Sequence, residues 1–154
     1  MAAQKVLVPY NFTQNDQKTL GFVIESYAED AQVEITLLHA YAPLPQIEAD
    51  DKTVMARMAE NLNYLRQKIN DTEQALNEAR VRLIKAGFAS ERVTCVFKAR
   101  QKDAAQEIID LARQGRYDTL ILNRRPGSIN RFFTPSVSKK VVKTLTDIDV
   151  ITVA

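Results

Sequence analysis

The chain reads as an α/β protein built on a parallel sheet with helices on both faces. Three observations predict it. Apolar strand-like runs alternate with helix-period segments in the order β-α-β-α-β-α-β-α-β, the pattern of crossover connections in a parallel sheet. The runs lack clean polar–apolar alternation, as expected of strands covered on both sides. The 154 residues are 45% hydrophobic and 26% charged, and single cores hold about 100–200 residues. Residues 1–154 are therefore expected to form one domain.

The first strand is Lys5-Val6-Leu7-Val8-Pro9, stopped by proline. A helix follows over Asn15 to Glu29, with Leu20, Val23, Ile24 and Tyr27 on one face. Val33 to Ala40 forms the second strand, and Tyr41 to Asp50, with Pro43 and Pro45, reads as a loop. The strongest periodic signal comes next. Met55, Met58, Leu62, Leu65, Ile69, Thr72, Leu76, Ala79, Leu83 and Ala86 recur by threes and fours, which predicts a long amphipathic helix ended by Gly87. Its length suggests a bend near Asn70-Asp71. Its stripe suits burial against a sheet better than a coiled-coil seam. Arg92 to Phe97 is the third strand, Ala104 to Arg113 a helix with Ile108, Ile109 and Ala112 inward, and Asp118 to Leu122 the fourth strand. Thr134 as N-cap and Pro135 in the first turn open the last helix. Val137, Val141, Val142 and Leu145 give it an apolar face, and Asp149 to Ala154 closes the sheet. Ligands of such sheets bind beyond the carboxyl ends of the strands. That points to the loops Pro9 to Thr13, His39 to Leu44 and Asn123 to Ser136.

Several chemistries are excluded. No apolar run is long enough to span a bilayer, so no membrane partner is expected. The N-terminus carries no signal-peptide pattern, which makes the cytoplasm the expected address. A single cysteine, Cys95, excludes an internal disulfide, and a single histidine, His39, excludes the usual zinc sites. Cys95 lies mid-strand and reads as core. There is no G-x-G-x-x-G after the first strand, no G-x-x-x-x-G-K-[ST], and no G-x-S-x-G. No acid, base and nucleophile converge in the linear pattern, so catalysis is not expected. An enzyme hydrolysing or transferring phosphate would need a carboxylate near the last loop, and the nearest acid in sequence is Asp118, at the far end of the fourth strand.

Three segments together resemble the universal stress protein family. They are Val6-Leu7-Val8-Pro9-Tyr10-Asn11-Phe12-Thr13; Ile35-Thr36-Leu37-Leu38-His39-Ala40; and the stretch from Tyr117-Asp118 through Ser136-Val137-Ser138 to Ile148-Asp149-Val150-Ile151-Thr152-Val153. The resemblance covers essentially the whole chain. It implies a five-stranded Rossmann-like sheet in the order 3-2-1-4-5, a stress-response role as a binding or regulatory module, and usually a homodimer. Many members bind ATP through G-x2-G-x9-G-[ST] after the fourth strand. With Ser136 matched to the closing serine and no gap, those glycines fall at Leu122, Arg125 and Pro135. Glycine there lets amides approach phosphate closely; Arg125 adds bulk, and Pro135 removes an N–H. The family's aspartate after the first strand is Asn11 here. ATP binding is thus expected to be altered or absent, and the alternative is an ATP-dependent switch or weak ATPase using Asn123 to Ser138.

Net charge is only +2, but Lys98 to Lys143 holds 11 basic and 4 acidic residues, a net of +7, and the remainder is −5. Such a concentration reads as a solvated face or, more sharply, as a site for an anion. The candidate ligand residues are Asn11, Ala40, Arg124, Arg125, Arg131, Ser136 and Ser138, with ATP, AMP or a smaller anion as ligand. The serines lie in a first helical turn whose free N–H groups favour an anion, and guanidinium forks grip phosphate. The competing reading is that these arginines are solvated or paired with carboxylates. Nucleic acid is not an expected partner: Phe132-Phe133 sit nearby, but no interleaved aromatic platform accompanies the basic stretch. In the order that the family implies, the last strand is an edge, and an apolar edge invites another chain. The expected homodimer pairs Val150 to Val153 antiparallel with its copy, the long second helix being the competing surface.

Overall fold

A computed structural model of the chain describes residues 4–44, 52–123 and 135–153, with side chains described from residue 139 in the last segment. Five strands, β1 (Gln4–Pro9), β2 (Val33–Tyr41), β3 (Val93–Ala99), β4 (Thr119–Asn123) and β5 (Asp149–Val153), form one sheet in the order β3-β2-β1-β4-β5. All four pairings are parallel. The connections are α1 (Gln14–Tyr27), α2 (Lys52–Lys85), α3 (Ala104–Gln114) and α4 (Pro135–Thr144). Fold class and strand order match the expectation.

Two cores cover the sheet. Val6, Val8, Leu20, Val23, Ile35, Leu37, Leu76, Leu83 and Ile121 pack on the side of α1 and α2. Leu7, Leu38, Ile108, Ile109, Leu120, Leu122, Val141 and Leu145 pack on the side of α3 and α4. Neighbours such as Val6 and Leu7, or Leu120 and Ile121, go to opposite cores because strand side chains alternate in direction. Both directions are buried at the centres of β1 and β4, so Val6-Leu7-Val8 and Leu120-Ile121-Leu122 are continuously apolar.

Local chemistry fixes the helix ends. Thr13 and Asp16 form a capping box at the start of α1. Asp103 caps α3, its carboxylate accepting from Gln106 N at 2.8 Å. Past α2, Gly87 adopts φ +127°, Gly87 N donates to Ile84 O, and Phe88 N donates to Leu83 O. That is the left-handed termination for which glycine is suited, and it buries Phe88 in the first core.

Three expectations change. First, α2 is helical without interruption through Asn70-Asp71; Thr72 Oγ1 donates to Lys68 O and Gln67 pairs with Asp71, so one-turn bonds support the expected bend site. Second, only Leu76, Ala79 and Leu83 of α2 are buried, because the helix outruns the sheet. Third, Val142 is 46% exposed while Val141 and Leu145 are buried. Adjacent helical residues diverge by ~100°, so Val142 falls off the stripe that its i, i+4 neighbours share. Val137 lies among the residues whose side chains are not described. Cys95 sits mid-strand as expected but is half-buried, since β3 is an edge; burial pushes its thiol above the usual value.

Candidate functional site

The chain leaves β1 for β2 and β3 on one side and returns to β4 and β5 on the other. The switch point therefore lies between β1 and β4, and the crevice beyond their carboxyl ends is the default ligand site. The amino ends of α1, α3 and α4 all open toward this end, because each helix runs back antiparallel to the strands. Thr13 with Asp16 caps the first of these ends and Asp103 the second, so carboxylates already answer part of the helix dipoles there.

Pro9 at the end of β1, Asn11 after it, Leu38 and Ala40 of β2, and Ala104, Glu107 and Ile108 of α3 line a crevice there, with about 230 Å³ of empty space including its open mouth. Ligand pockets usually hold ~300–1,000 Å³. Two of the residues read from the sequence, Asn11 and Ala40, are thus brought together on its wall, and both are buried. Ser136 and Ser138 fall in the first turn of α4, as expected, though their side chains are not described. Arg124, Arg125 and Arg131, with Thr134 and the rest of residues 124–134, lie outside the described residues. The ungapped register places its first glycine position, Leu122, inside β4, buried in the second core. The residue at the strand's end is Asn123, whose Nδ2 lies 3.4 Å from Thr19 Oγ1.

Phe12 has φ +64°, a left-handed conformation costly for a residue with a side chain. This turn sends adjacent residues to opposite sides of the sheet's end. Asn11 lines the crevice, and Phe12 packs edge-on against Tyr10 and His39 beside the first core. The ring of His39 also stacks on Phe97, and its Nδ1 lies 2.9 Å from the carbonyl of Tyr10. Burial lowers its pKa, against the opposing effect of that hydrogen bond. His39 is therefore held toward its neutral form, as a ring packed within the aromatic cluster.

Two buried carboxylates at this end were not singled out from sequence. Asp16 Oδ2 accepts from Asn11 N at 2.9 Å, Thr13 Oγ1 at 2.9 Å and Thr13 N at 3.3 Å. Burial nonetheless pushes this carboxyl above its usual value, and burial with the Asp16 charge drives the neighbouring Tyr10 phenol up to about 12. Glu107 Oε1 accepts from Gln101 N and Lys102 N, each at 2.9 Å, and Oε2 meets Lys98 Nζ at 2.7 Å. Burial opposes its charge, but the Lys98 ammonium and the two amides outweigh it and hold the carboxyl below its usual value. Asp118 is far from the crevice, as its place at the far end of the fourth strand implied, accepting from Lys5 N at 2.8 Å, while Glu107 lines it. The basic stretch is also partly neutralised within itself, Lys98 by Glu107, Lys102 by Asp110 and Lys140 by Asp103. Among the described residues no cluster of three or more metal-ligating side chains occurs, and no helix is long and apolar enough to cross a membrane.

The neutral His39 has a measurable consequence. Its folded pKa is below the unfolded value of 6.5, so below that pH the unfolded chain takes up a proton that the folded chain refuses. Stability is expected to fall as pH drops from 6.5 toward the folded value. Urea midpoints measured across this range should slope down in the wild type and flatten in His39→Gln.

The fold is shared with solved universal stress proteins. The protein of Lactobacillus plantarum matches with TM-score 0.68 and 15% identity over 100% of this chain and 99% of that one. The Archaeoglobus fulgidus protein in complex with dAMP matches with TM-score 0.66 and 17% identity over 100% of both chains. A universal stress protein in complex with cAMP matches with TM-score 0.63 and 16% identity over 99% of this chain and 98% of that one. Comparison with curated proteins finds no match. The model of the universal stress protein family matches residues 2–153, and the chain belongs to that family.

Proposed function

We propose that this universal stress protein is a cytoplasmic stress-response module that binds and regulates rather than catalyses, and that it does not cradle ATP by bare backbone amides. The observation that carries this reading is the composition of the segment after β4. Leu122 lies in a ladder, Arg125 and Pro135 stand where small residues would expose N–H groups, and Pro135 has no N–H to give. The narrow crevice is consistent with it, since the Glu107 carboxylate occupies the wall where α3 begins. Asn11 and Ala40 form the floor of the proposed site. Arg124, Arg125 and Arg131, with Ser136 and Ser138 at the α4 terminus, would meet a smaller anion such as AMP or phosphate.

Isothermal titration with ATP, AMP and phosphate, at low and physiological salt, tests it. The expected result is no heat with ATP at physiological salt, and salt-sensitive heat with AMP or phosphate. Tight, salt-resistant ATP binding would overturn the reading. The dAMP and cAMP complexes of relatives with this fold favour a second reading, a nucleotide-dependent switch or weak ATPase. It requires metal-dependent ATP turnover that Ser136→Ala abolishes.

We also propose a homodimer through β5. Among the described residues this strand pairs only with β4 and ends the sheet; Val150, Ile151 and Val153 are half-buried, and antiparallel pairing of Val150 to Val153 with a second copy would cover the edge. Sedimentation of a chain truncated after Asp149 should show loss of that dimer, and an unchanged mass would refute the role.

A further inference from the structure

The crevice beyond β1 and β4 is unevenly disposed toward anions. Helices α1, α3 and α4 all start at this end. The first carries Asp16 in its first turn, the second carries Asp103 as its cap and Glu107 in its first turn, and α4 has no acidic residue in its first turn. Helix starts favour negative charge, so α1 and α3 answer that preference from their own residues and α4 does not. On the α3 wall three donors converge. Glu107 Oε1 accepts from Gln101 N and Lys102 N, each at 2.9 Å, and Oε2 meets Lys98 Nζ at 2.7 Å. The two amides belong to the loop between β3 and the α3 cap. Two neighbouring backbone amides and an ammonium aimed at one point form a receptor for an oxyanion, a carboxylate or a phosphate. Its occupant is the chain's own carboxylate, whose side chain is 6% exposed and lines the crevice.

We propose that Glu107 is a built-in anion that sets the polarity of the crevice. It fills the donor set of the α3 wall, excludes phosphate from it, and leaves the start of α4 as the end at which the anionic group of a ligand is held. This deepens the reading above and rests on it for the α4 side alone. The part played by Glu107 follows from its own contacts.

Charge balance accounts for the exclusion. Lys98 and Glu107 together carry no net charge, so the α3 wall offers an arriving phosphate no net attraction. The ionised carboxylate repels a second anion at short range, the more so where little water screens the pair. Its two oxygens already take three donors, which a phosphate would have to win in exchange. Without Glu107 the same three donors are vacant and carry net positive charge. The uncharged part of a ligand meets no such barrier, because Ala104 and Ile108 flank the carboxylate with apolar surface. A ligand with an anionic end and a neutral body, as a nucleoside monophosphate has, is thereby left one orientation: phosphate toward α4, body toward α3.

Titration of the full chain with inorganic phosphate tests this, with the amide signals of Gln101 and Lys102 followed by nuclear magnetic resonance. In wild type these two signals should not move. Glu107→Gln keeps an oxygen on both amides and should behave likewise. In Glu107→Ala both should shift saturably, with phosphate bound at least about tenfold more tightly than by wild type, the scale of one charge-assisted hydrogen bond. Adding Lys98→Met to Glu107→Ala should remove that gain. Shifts at the start of α4, alike in wild type and variants, report the reading above, and their absence counts against that reading alone. A saturable shift of Gln101 and Lys102 in wild type or in Glu107→Gln would overturn the proposal, whether or not Glu107→Ala folds. So would a folded Glu107→Ala in which the two signals stay still, or a gain that survives Lys98→Met.

Discussion

Leu83→Ala should lower the free energy of unfolding by about 3 kcal/mol, within the range of about 2–5 for buried leucine truncations. Leu83 is fully buried among residues of the first core, at the end of α2 that lies on the sheet. Truncation leaves a cavity whose walls, strands on one side and Phe88 on the other, have little freedom to collapse. The melting temperature should drop by roughly 6–12 °C, at about 2–4 °C per kcal/mol for a chain of this size. A truncation in the exposed first half of α2 separates the two halves of the helix. Tyr64 is 61% exposed and touches Lys68 only through its ring face, so Tyr64→Ala should stay within about 0.5 kcal/mol. Urea unfolding of both variants is the check. Equal losses would mean that α2 is packed along its whole length.

Glu107→Ala is expected to be the second large effect, about 2–3 kcal/mol at neutral pH, the scale of leaving buried or part-buried donors without their carboxylate. The variant strands the amides of Gln101 and Lys102 and frees Lys98. Lys98 is more than a third exposed, so its charge rehydrates, and the loss is mainly that of the loop between β3 and α3. Glu107→Gln keeps an oxygen for the two amides and should cost less. The sign with pH is fixed by the lowered carboxyl. The stabilisation is present above the unfolded pKa and is lost as pH falls through the folded one, so wild type and Glu107→Ala should converge in acid. A constant gap down to low pH would show that the lost packing, not the charge, sets the cost.

The strands were legible because β1, β2 and β4 are short apolar runs with breakers at their ends, and burial on both sides leaves no alternation to misread. The capping box of α1 was not read, although Thr13 three residues before Asp16 is a spacing that could have found Asp16 as a buried group. Glu107 carried no such signal. Its partners are amides five and six residues earlier and a lysine on β3, contacts that exist only once the β3–α3 loop has folded over the helix end. Asp118 illustrates the converse: it is near the last loop in sequence but held by Lys5 at the other end of the sheet, because a strand separates its two ends by its full length. The spacing along α2 was read correctly as a stripe. What sequence withheld was where the sheet stops beneath it, which depends on the register of β3 against β2. Asn11 and Ala40 could be placed because one lies just past the end of β1 and the other at the carboxyl end of β2. Arg124, Arg125 and Arg131 lie outside the described residues.

Native mass spectrometry of the protein as it is purified bears most directly on the proposal that the segment after β4 offers ATP no main-chain cradle. The assembly should appear at the mass of its polypeptide chains, with at most a monophosphate or small anion attached. A population carrying the mass of ATP, retained through exchange into volatile buffer, would contradict it.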